Sequence, residues 1–278
     1  MFGPNVTTGE TEYYHHRGPH FRLLLETLEA EFVEKFGLQE YDILFLTGNG
    51  TLANEAVIYS LCMPSVFVRA NAEFGGRLRL AAEAHEPKID SGSACGCYVA
   101  YETSISCRNG RPFSDTLMFC DMVSAFPYYL PKDVDIFTTV SSKQLGALPV
   151  LGIVGIRKGL DVWKTETWSI LSIAAHLRFR AKHETMTTPA IPLYVDLLRV
   201  VRTFDRAQFK DKIDRRRAQV VTSVGEENVI GEGPVVTLKP NSMTERLAAR
   251  AGLYRSPVGP QVFLWSGTDE QYEEIFND

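Results

Sequence analysis

The chain has 278 residues, 45% of them hydrophobic, so it can bury a sizeable core as one large domain or as a large domain with a small appendage. Its formal net charge of −5 argues against a protein whose whole surface binds nucleic acid, although a local basic groove stays open. No stretch approaches the roughly 18 apolar residues that span a bilayer, and the N-terminus lacks the pattern of a signal peptide, so we expect a soluble, cytoplasmic protein.

The first part of the chain predicts helices and strands in alternation. The segment "FRLLLETLEAEFVEKFG" predicts a helix that ends at Gly37, with its apolar residues at helical spacing (Leu24, Leu28, Phe32 and Phe36). The run "YDILFLTG" predicts a buried strand that ends at Gly48. "TLANEAVIYSLC" then predicts a helix, and "SVFVRA" the next strand.

Three further apolar runs predict buried strands: "TLMFCDMVSA", "VDIFTTVSS" and "LPVLGIVGIRK". Apolar strands separated by helices are typical of an α/β protein with a mostly parallel sheet and helices on both faces. Ligands of such sheets bind beyond the carboxyl ends of the strands. Gly48 and Lys143 both follow a strand end, so we expect them at the same edge of the sheet.

The pattern changes after Pro192. The segment "LYVDLLRVVRTFDRAQFKDKIDRRRAQVVTSV" predicts a long amphipathic helix with one break. "GPVVTLKP" and "QVFLWSG" predict strands that flank the helix "SMTERLAARAG", and "TDEQYEEIF" predicts a last helix with a Thr268–Gln271 capping box. We therefore predict a large domain over residues 1–204 and a small C-terminal α+β domain over residues 205–278.

Three features need a joint explanation. The turn in "LTGNGTLANEA" leads from a strand into a helix and can cradle a phosphate, although such turns often need glycine for backbone reasons alone. Asp121 ends an apolar strand, where a carboxylate needs a partner or is only a helix cap. Lys143 follows the next strand, where the alternative is a lysine that extends from the sheet edge into solvent.

A phosphate cradle, a carboxylate and a lysine together suit pyridoxal 5′-phosphate. The lysine forms a Schiff base with the aldehyde of the cofactor, and the aspartate keeps the pyridine nitrogen protonated. Arginine at position 143 could not form an imine, and asparagine at position 121 could not hold the proton electrostatically. This chemistry makes Lys143 and Asp121 the predicted catalytic residues.

The ordered set of motifs resembles the class V aminotransferase group of fold-type I pyridoxal-phosphate enzymes, which includes alanine–glyoxylate and phosphoserine aminotransferases. The resemblance covers most of the chain. It rests on seven collinear segments: "YYHHRGPHFRLLLETLEAEF", "LTGNGTLANEA", "NAEFGGRL", "YETSIS", "DMVSAF", "SSKQLGALP" and "MTTPAIPLY". It implies the fold-type I architecture and a pyridoxal 5′-phosphate cofactor.

The resemblance also implies roles around the cofactor ring. Lys143 would carry the Schiff base, and Asp121 would pair with the pyridine nitrogen. Phe74 would stack on one face of the ring and Val123 on the other, while Thr103 would approach the ring hydroxyl.

A second group of residues would hold the cofactor phosphate. Gly50 and Thr51 would donate backbone N–H groups, with Ser141 or Ser142 nearby. Thr188 would reach the phosphate of a neighbouring subunit, which implies a homodimer with shared sites. His16 and Arg17 would lie near the substrate.

Two departures from the family pattern bear on the reaction. Family transaminases hold the substrate carboxylate with an arginine on a small-domain strand, but "GPQVFLWSGTDE" offers none, only Gln261, Leu264 and Trp265. Arg255 is a possible substitute from nearby in the sequence. The stretch between Phe74 and Glu102 is also short, which predicts a more open mouth that suits a bulky substrate.

We therefore expect cleavage of a Cα bond, with decarboxylation of an amino-acid moiety on a bulky substrate as the leading hypothesis. One such setting is a hypermodified thymine in bacteriophage DNA, in which case the protein would act in the host cytoplasm. The alternatives are an aminotransferase that acts on a small amino acid and a keto acid, and an inactive binding subunit with the same fold.

Two other residue groups have ordinary interpretations. A basic run near residue 215 is interpreted as a solvated helix face, with phosphate contact as the alternative (Lys210, Lys212, Arg215, Arg216 and Arg217). The odd number of cysteines predicts reduced thiols (Cys62, Cys95, Cys97, Cys107 and Cys120). The spacing of Cys95, Cys97 and Cys107 is a weak zinc pattern, so we predict no metal site.

Overall fold

The computed structural model describes residues 15–63, 65–85, 88–89, 94–112, 116–165 and 168–276. Among these residues the helices are α1 (Pro19–Phe36), α2 (Gly50–Ser60), α3 (Glu73–Ala84), α4 (Ile173–Arg180), α5 (Ile191–Thr203), α6 (Arg206–Val224), α7 (Ser242–Ala251) and α8 (Asp269–Phe276). The strands are β1 (Tyr41–Thr47), β2 (Ser65–Val68), β3 (Lys88–Ile89), β4 (Cys95–Val99), β5 (Tyr101–Glu102), β6 (Cys107–Arg108), β7 (Leu117–Asp121), β8 (Ile136–Val140), β9 (Leu151–Arg157), β10 (Val229–Ile230), β11 (Val235–Leu238), β12 (Tyr254–Ser256) and β13 (Gly259–Phe263).

A seven-stranded sheet in the order β1-β9-β8-β7-β4-β2-β3 forms the centre of the molecule. Strand β9 is antiparallel to both of its neighbours, so β1 and β8 run in the same direction. Strands β8, β7, β4, β2 and β3 pair in parallel. The predicted mostly parallel sheet is confirmed, although the apolar pattern does not reveal that β9 is reversed.

Each face of this sheet is covered by helices and has its own core. Helices α1 and α5 pack together on one face, where the apolar positions Leu28 and Phe32 of α1 are buried together with Leu197 of α5. Helix α2 buries Ala53 and Val57 on the other face. Helix α1 ends as predicted at Gly37, whose φ of 67° is in the left-handed region that glycine adopts without strain.

The elements after residue 205 form a second sheet in the order β10-β11-β13-β12, with α6, α7 and α8 nearby. The predicted break in the long helix lies between α5 and α6, where Asp205 accepts a hydrogen bond from the amide of Gln208 and caps α6. The Thr268–Gln271 capping box before α8 is also present. The division into domains at residue 204 stays a prediction.

Strand β4 has no counterpart among the sequence predictions. Its residues "CGCYV" include two cysteines and a glycine, which carry little strand preference, yet all five are buried between β2 and β7. No helix in the described part of the chain is both long and apolar enough to cross a membrane.

Candidate active site

Three connections meet at one edge of the main sheet. Strand β7 ends at Asp121, β8 leads to Lys143, and the turn Gly48–Asn49 joins β1 to α2. Because β1, β7 and β8 run in the same direction, their carboxyl ends lie at the same edge. The structure thus brings together the turn, the carboxylate and the lysine that the sequence singled out.

The Asp121 carboxylate is buried and held by two donors. The amide of Val123 donates to Oδ1 at 2.8 Å, and the Asn54 side chain donates to Oδ2 at 2.7 Å. The hydroxyl of Thr138 donates in turn to the amide oxygen of Asn54, which orients the Asn54 side chain. Burial raises the pKa of Asp121, while these hydrogen bonds and the charge of Lys143 oppose that rise.

The Lys143 side chain extends toward both Asp121 and α3. Its Nζ donates to the hydroxyl of Ser124 at 2.7 Å and lies 5.4 Å from the centroid of the Phe74 ring. Burial lowers the pKa of Lys143, and the charge of Arg77 lowers it further, whereas Asp121 and Glu102 raise it. A lowered pKa increases the fraction of neutral amine, which is the nucleophilic form.

A buried carboxylate fixes the position of the Phe74 ring. Glu102 follows β4 closely in the chain, and its Oε2 accepts from the amides of Phe74 at 3.1 Å and Gly75 at 3.0 Å, at the start of α3. Ser104 donates its hydroxyl to Oε1 at 2.6 Å. Glu102 therefore caps α3, and the cap sets where the aromatic ring stands relative to Lys143.

The start of α2 offers a cradle for an anion. Asn49 caps the helix by accepting from the amides of Leu52 and Ala53, so among the described contacts the amides of Gly50 and Thr51 are left for a ligand. Glycine at position 50 also lets Val123 approach, because a Cβ there would come within 2.6 Å of a Val123 methyl group.

A cavity of about 310 Å³ opens between α2 and α3 beside these groups. Three predicted site residues line it: Thr51, Phe74 and Asp121. Arg77 lines it too, with its guanidinium 5.1 Å from the Phe74 ring centroid and in contact with Glu73. The cavity therefore has an aromatic wall, a carboxylate and a cation.

The other predicted cofactor-binding residues near the lysine differ in whether their side chains are available to a ligand. Thr103 is buried directly after Glu102. The Ser141 hydroxyl donates to the carbonyl of Leu148 at 2.6 Å, so its hydrogen is committed to the loop that carries Lys143. Ser142 is only half-buried, and it is the better candidate of the two serines for a phosphate ligand.

Three predicted residues lie apart from this group in the described contacts. Thr188 is exposed in the segment before α5. The His16 ring stacks on His15, and the Arg17 guanidinium lies 5.9 Å from the ring centroid of Phe179 in α4. Burial, then the charges of His15 and Arg17, lower the pKa of His16. The roles predicted for Thr188, His16 and Arg17 stay predictions.

In the part of the chain that the structure describes, the second sheet contacts the site through Gln261 and not through an arginine. The buried Gln261 side chain donates to the carbonyl of Thr103 and to the Thr237 hydroxyl at 3.1 Å. Leu264 is buried in the core of the second sheet. The Arg255 guanidinium pairs with Glu245 at an exposed position, so it is engaged elsewhere than the site.

Two more hydrogen bonds join the second sheet to the same segment. The Tyr101 hydroxyl donates to the carbonyl of Val235, and the hydroxyls of Ser106 and Thr237 lie 2.8 Å apart. The segment from Tyr101 to Ser106 is thus held on one side by the second sheet and on the other by α3.

The interpretation of the basic run as a solvated face is wrong for one residue. Arg216 is only 1% exposed. Its guanidinium donates to the carboxylate of Asp269 and to the carbonyls of Leu264, Ser266 and Gly267. A guanidinium can be buried when its donors are satisfied in this way, and the spacing of charges in a sequence does not reveal such partners.

Sequence reasoning missed four residues of the site: Asn54, Glu102, Ser124 and Arg77. Asn54 is one turn after the predicted phosphate turn, and Arg77 is one turn after Phe74, so helical spacing could have found both. Glu102 and Ser124 lie in the segments "YETSIS" and "DMVSAF", but neither segment indicates what these side chains contact. Among the described residues, no cluster of three or more His, Cys, Asp or Glu side chains could hold a metal ion.

No protein-family model matches the sequence, and no curated protein matches it. Solved structures do match. An aspartate aminotransferase of subgroup IV from Thermus thermophilus is 21% identical, with a TM-score of 0.78 over 96% of this chain and 93% of that one. An alanine–glyoxylate aminotransferase from Nostoc sp. is 17% identical, with a TM-score of 0.76 over 96% and 88%.

A phosphoserine aminotransferase from Trichomonas vaginalis, solved with pyridoxal phosphate bound, is 12% identical, with a TM-score of 0.77 over 95% of this chain and 90% of that one. The chain therefore has the fold of these aminotransferases, and the predicted fold-type I architecture is confirmed.

Proposed function

We propose that the protein is a pyridoxal-phosphate-dependent enzyme that acts on the amino group of an amino-acid substrate. The observation that carries the proposal is the position of Lys143: its amine has a lowered pKa, stands over the Phe74 ring, and shares a sheet edge with the buried Asp121. The fold likeness supports it, because the proteins of that fold compared above are aminotransferases.

The residues present fit the cofactor in kind and in placement. The buried Asp121 carboxylate suits a protonated pyridine nitrogen, because its two donors favour the charged form and each oxygen can accept a further hydrogen bond. The amides of Gly50 and Thr51 suit the phosphate at the start of α2. Phe74 and Val123 suit the two faces of an aromatic ring.

Bound pyridoxal phosphate supplies an aldehyde that condenses with amines and a ring that withdraws electrons from the bonds of the substrate Cα. Lys143 would provide the amine that holds the cofactor and, once released, a base or acid for the proton at Cα. Asp121 would keep the ring nitrogen charged, and Glu102 would hold the Phe74 ring in place through α3.

For the reaction, we propose decarboxylation of an amino-acid moiety carried by a bulky substrate, for example a modified thymine in phage DNA. The bond at Cα that breaks is the one perpendicular to the cofactor ring, and a carboxylate clamp keeps that bond from being Cα–COO⁻. Gln261 lies in the segment that resembles the one carrying the carboxylate clamp. Its amide donates to the Thr103 carbonyl and the Thr237 hydroxyl and is therefore engaged within the protein.

The second candidate is transamination, which the names of the similar structures favour. Purified enzyme with cofactor and a panel of amino donors, including nucleotides that bear amino acids, separates the two. Decarboxylation predicts carbon dioxide without a keto-acid acceptor, whereas transamination predicts a keto acid and the aminated cofactor in a single turnover. Accumulation of the aminated cofactor without carbon dioxide would contradict decarboxylation.

We also propose a homodimer in which Thr188 of each subunit reaches the cofactor phosphate of the other. Thr188 is exposed, as a residue with a role in a neighbouring subunit would be. Exposed apolar side chains near the lysine loop, Leu148 and Val150, provide surface that a second copy could cover.

The cofactor assignment has a direct test. Borohydride reduction after incubation with pyridoxal phosphate should fix the cofactor on Lys143, as peptide mapping will show, and Lys143→Ala should abolish this label. Asp121→Asn should retain the label but lose about 100-fold or more in turnover, because the ring nitrogen loses its charged partner. A label on another peptide, or normal turnover by Lys143→Ala, would rule out the proposed role.

A further inference from the structure

The amine of Lys143 has a specific hydrogen-bond partner that the cofactor chemistry above does not use. Nζ donates to Oγ of Ser124 at 2.7 Å, and Ser124 is only 4% exposed. Ser124 follows Asp121 by three residues, so the hydroxyl is fixed to the same turn as the carboxylate.

The turn that carries Ser124 is tied to the segment that carries Lys143. The Gln144 side chain donates to the carbonyl of Ser124 at 2.6 Å and accepts from the amide of Tyr128 at 3.0 Å. Gln144 is next to the lysine in the chain and is itself buried. The Ser124 hydroxyl and the Lys143 amine are therefore held close together, because the side chain next to the lysine is bonded to the backbone of the turn that carries Ser124.

The hydroxyl does not favour all forms of the lysine nitrogen equally. A free amine or ammonium carries two or three hydrogens that rotate to meet an acceptor, whereas a nitrogen in a C=N bond carries one hydrogen at most, in a direction fixed by the planar double bond. A buried hydroxyl within hydrogen-bond distance thus stabilises the released amine over the cofactor-bound nitrogen.

We propose that Ser124 is a positioning residue that receives the ε-amino group of Lys143 when a substrate amine replaces it on the cofactor. The inference rests on the proposed cofactor function. Held there, the amine stays next to the turn that carries Asp121.

The exchange is balanced without a further reactant. The incoming primary amine forms a C=N bond to the cofactor carbon, and the C=N bond from that carbon to Nζ of Lys143 is broken. The two hydrogens that leave the incoming amine nitrogen are matched by two that the lysine nitrogen gains, so no oxidant or reductant is consumed.

The test measures this exchange with methylamine, which needs no knowledge of the substrate. Enzyme saturated with pyridoxal phosphate is freed of unbound cofactor, mixed with methylamine at a fixed pH and trapped with borohydride. Mass spectrometry then gives the ratio of cofactor fixed on methylamine to cofactor fixed on Lys143. We expect Ser124→Ala to lower this ratio roughly fivefold, as loss of one hydrogen bond to the released amine implies.

Ser60→Ala is the matched control. Ser60 is 3% exposed, and its hydroxyl makes two hydrogen bonds to backbone groups, at Leu171 and Ile173, beyond the far end of α2. Ser60→Ala therefore removes a hydroxyl of similar exposure that makes no contact with Lys143. The ratio for this variant should equal that of the unsubstituted protein. Ser124→Cys keeps a side chain of similar size with a weak acceptor, and should shift the ratio in the same direction as alanine.

The outcomes separate the two proposals. If the unsubstituted protein takes no label at Lys143, the cofactor function itself fails. If it is labelled normally and the ratio is unchanged in both Ser124→Ala and Ser124→Cys, only the role of Ser124 is overturned. A general effect of losing a buried hydroxyl would change the ratio in Ser60→Ala as well, so a change confined to the Ser124 variants is assigned to the bond with Lys143.

Discussion

At the scale of single residues, the site is a small group of charges around Lys143. Asp121 and Glu102 raise the pKa of Lys143, while burial and Arg77 lower it. Glu102 and Arg77 lie outside the proposed cofactor contacts, and they shift the pKa of Lys143 in opposite directions. This opposition makes the electrostatics of the site testable by pH alone.

We predict opposite pH shifts for two substitutions. Glu102→Gln removes a negative charge and should move the pH midpoint of labelling at Lys143 downward, whereas Arg77→Gln should move it upward. The measurement is the initial rate of borohydride-trapped labelling as a function of pH.

Glutamine at position 102 keeps an acceptor for the amides of Phe74 and Gly75, so the substitution mainly tests charge. Arg79→Gln is the control for Arg77, because Arg79 is in the same helix but pairs with Glu83 and does not affect the pKa of Lys143. Shifts of the same sign for Glu102→Gln and Arg77→Gln would contradict the arrangement described here.

At the scale of elements, helix α3 is the part whose exact position matters most for the site. Two adjacent glycines stand in its first turn, and their surroundings differ. A Cβ at Gly75 would lie 2.7 Å from the carbonyl oxygen of Arg69 and 3.0 Å from Cα of Ala70. A Cβ at Gly76 would meet nothing within 4 Å.

Gly75→Ala should therefore push the start of α3 away from β2 and displace the Phe74 ring, with a loss of cofactor affinity and about 1–3 kcal/mol of stability. Gly76→Ala should instead stabilise the helix by about 0.4–1 kcal/mol, because alanine restricts the unfolded chain more than glycine does. Denaturant titration and cofactor titration of both variants check this. Equal effects of the two substitutions would show that the close approach at Gly75 is not a constraint.

Individual elements also show what a sequence can predict. Strand β1, helix α1 and the break between α5 and α6 were predictable because periodicity and caps are local signals. Strand β4 was not, because three of its five residues are cysteine or glycine and its burial depends on β2 and β7 from distant parts of the chain. The reversal of β9 likewise depends on pairing with β1 and β8 and leaves no mark on its composition.

At the scale of the whole molecule, the same division applies to the site. Lys143 and Asp121 could be predicted because each follows an apolar strand, and parallel strands bring their ends together. The contacts of Glu102, Ser124 and Gln261 could not, since their partners are fixed by tertiary packing. The family resemblance supplied the order of the motifs, but not the hydrogen bonds that Gln261 makes to Thr103 and Thr237.

The three hydrogen bonds between the second sheet and the Tyr101–Ser106 segment have a mechanical consequence. A hinge motion of the second sheet that narrowed the entrance to the cavity between α2 and α3 would also have to move the start of α3. The reason is that Glu102, which caps this helix, lies within the segment. We therefore expect the entrance to keep one width throughout the catalytic cycle. A residue carried on a polymer would then enter by the same route as a free monomer. The side chains that line the entrance, and not a closing motion, would select between the two.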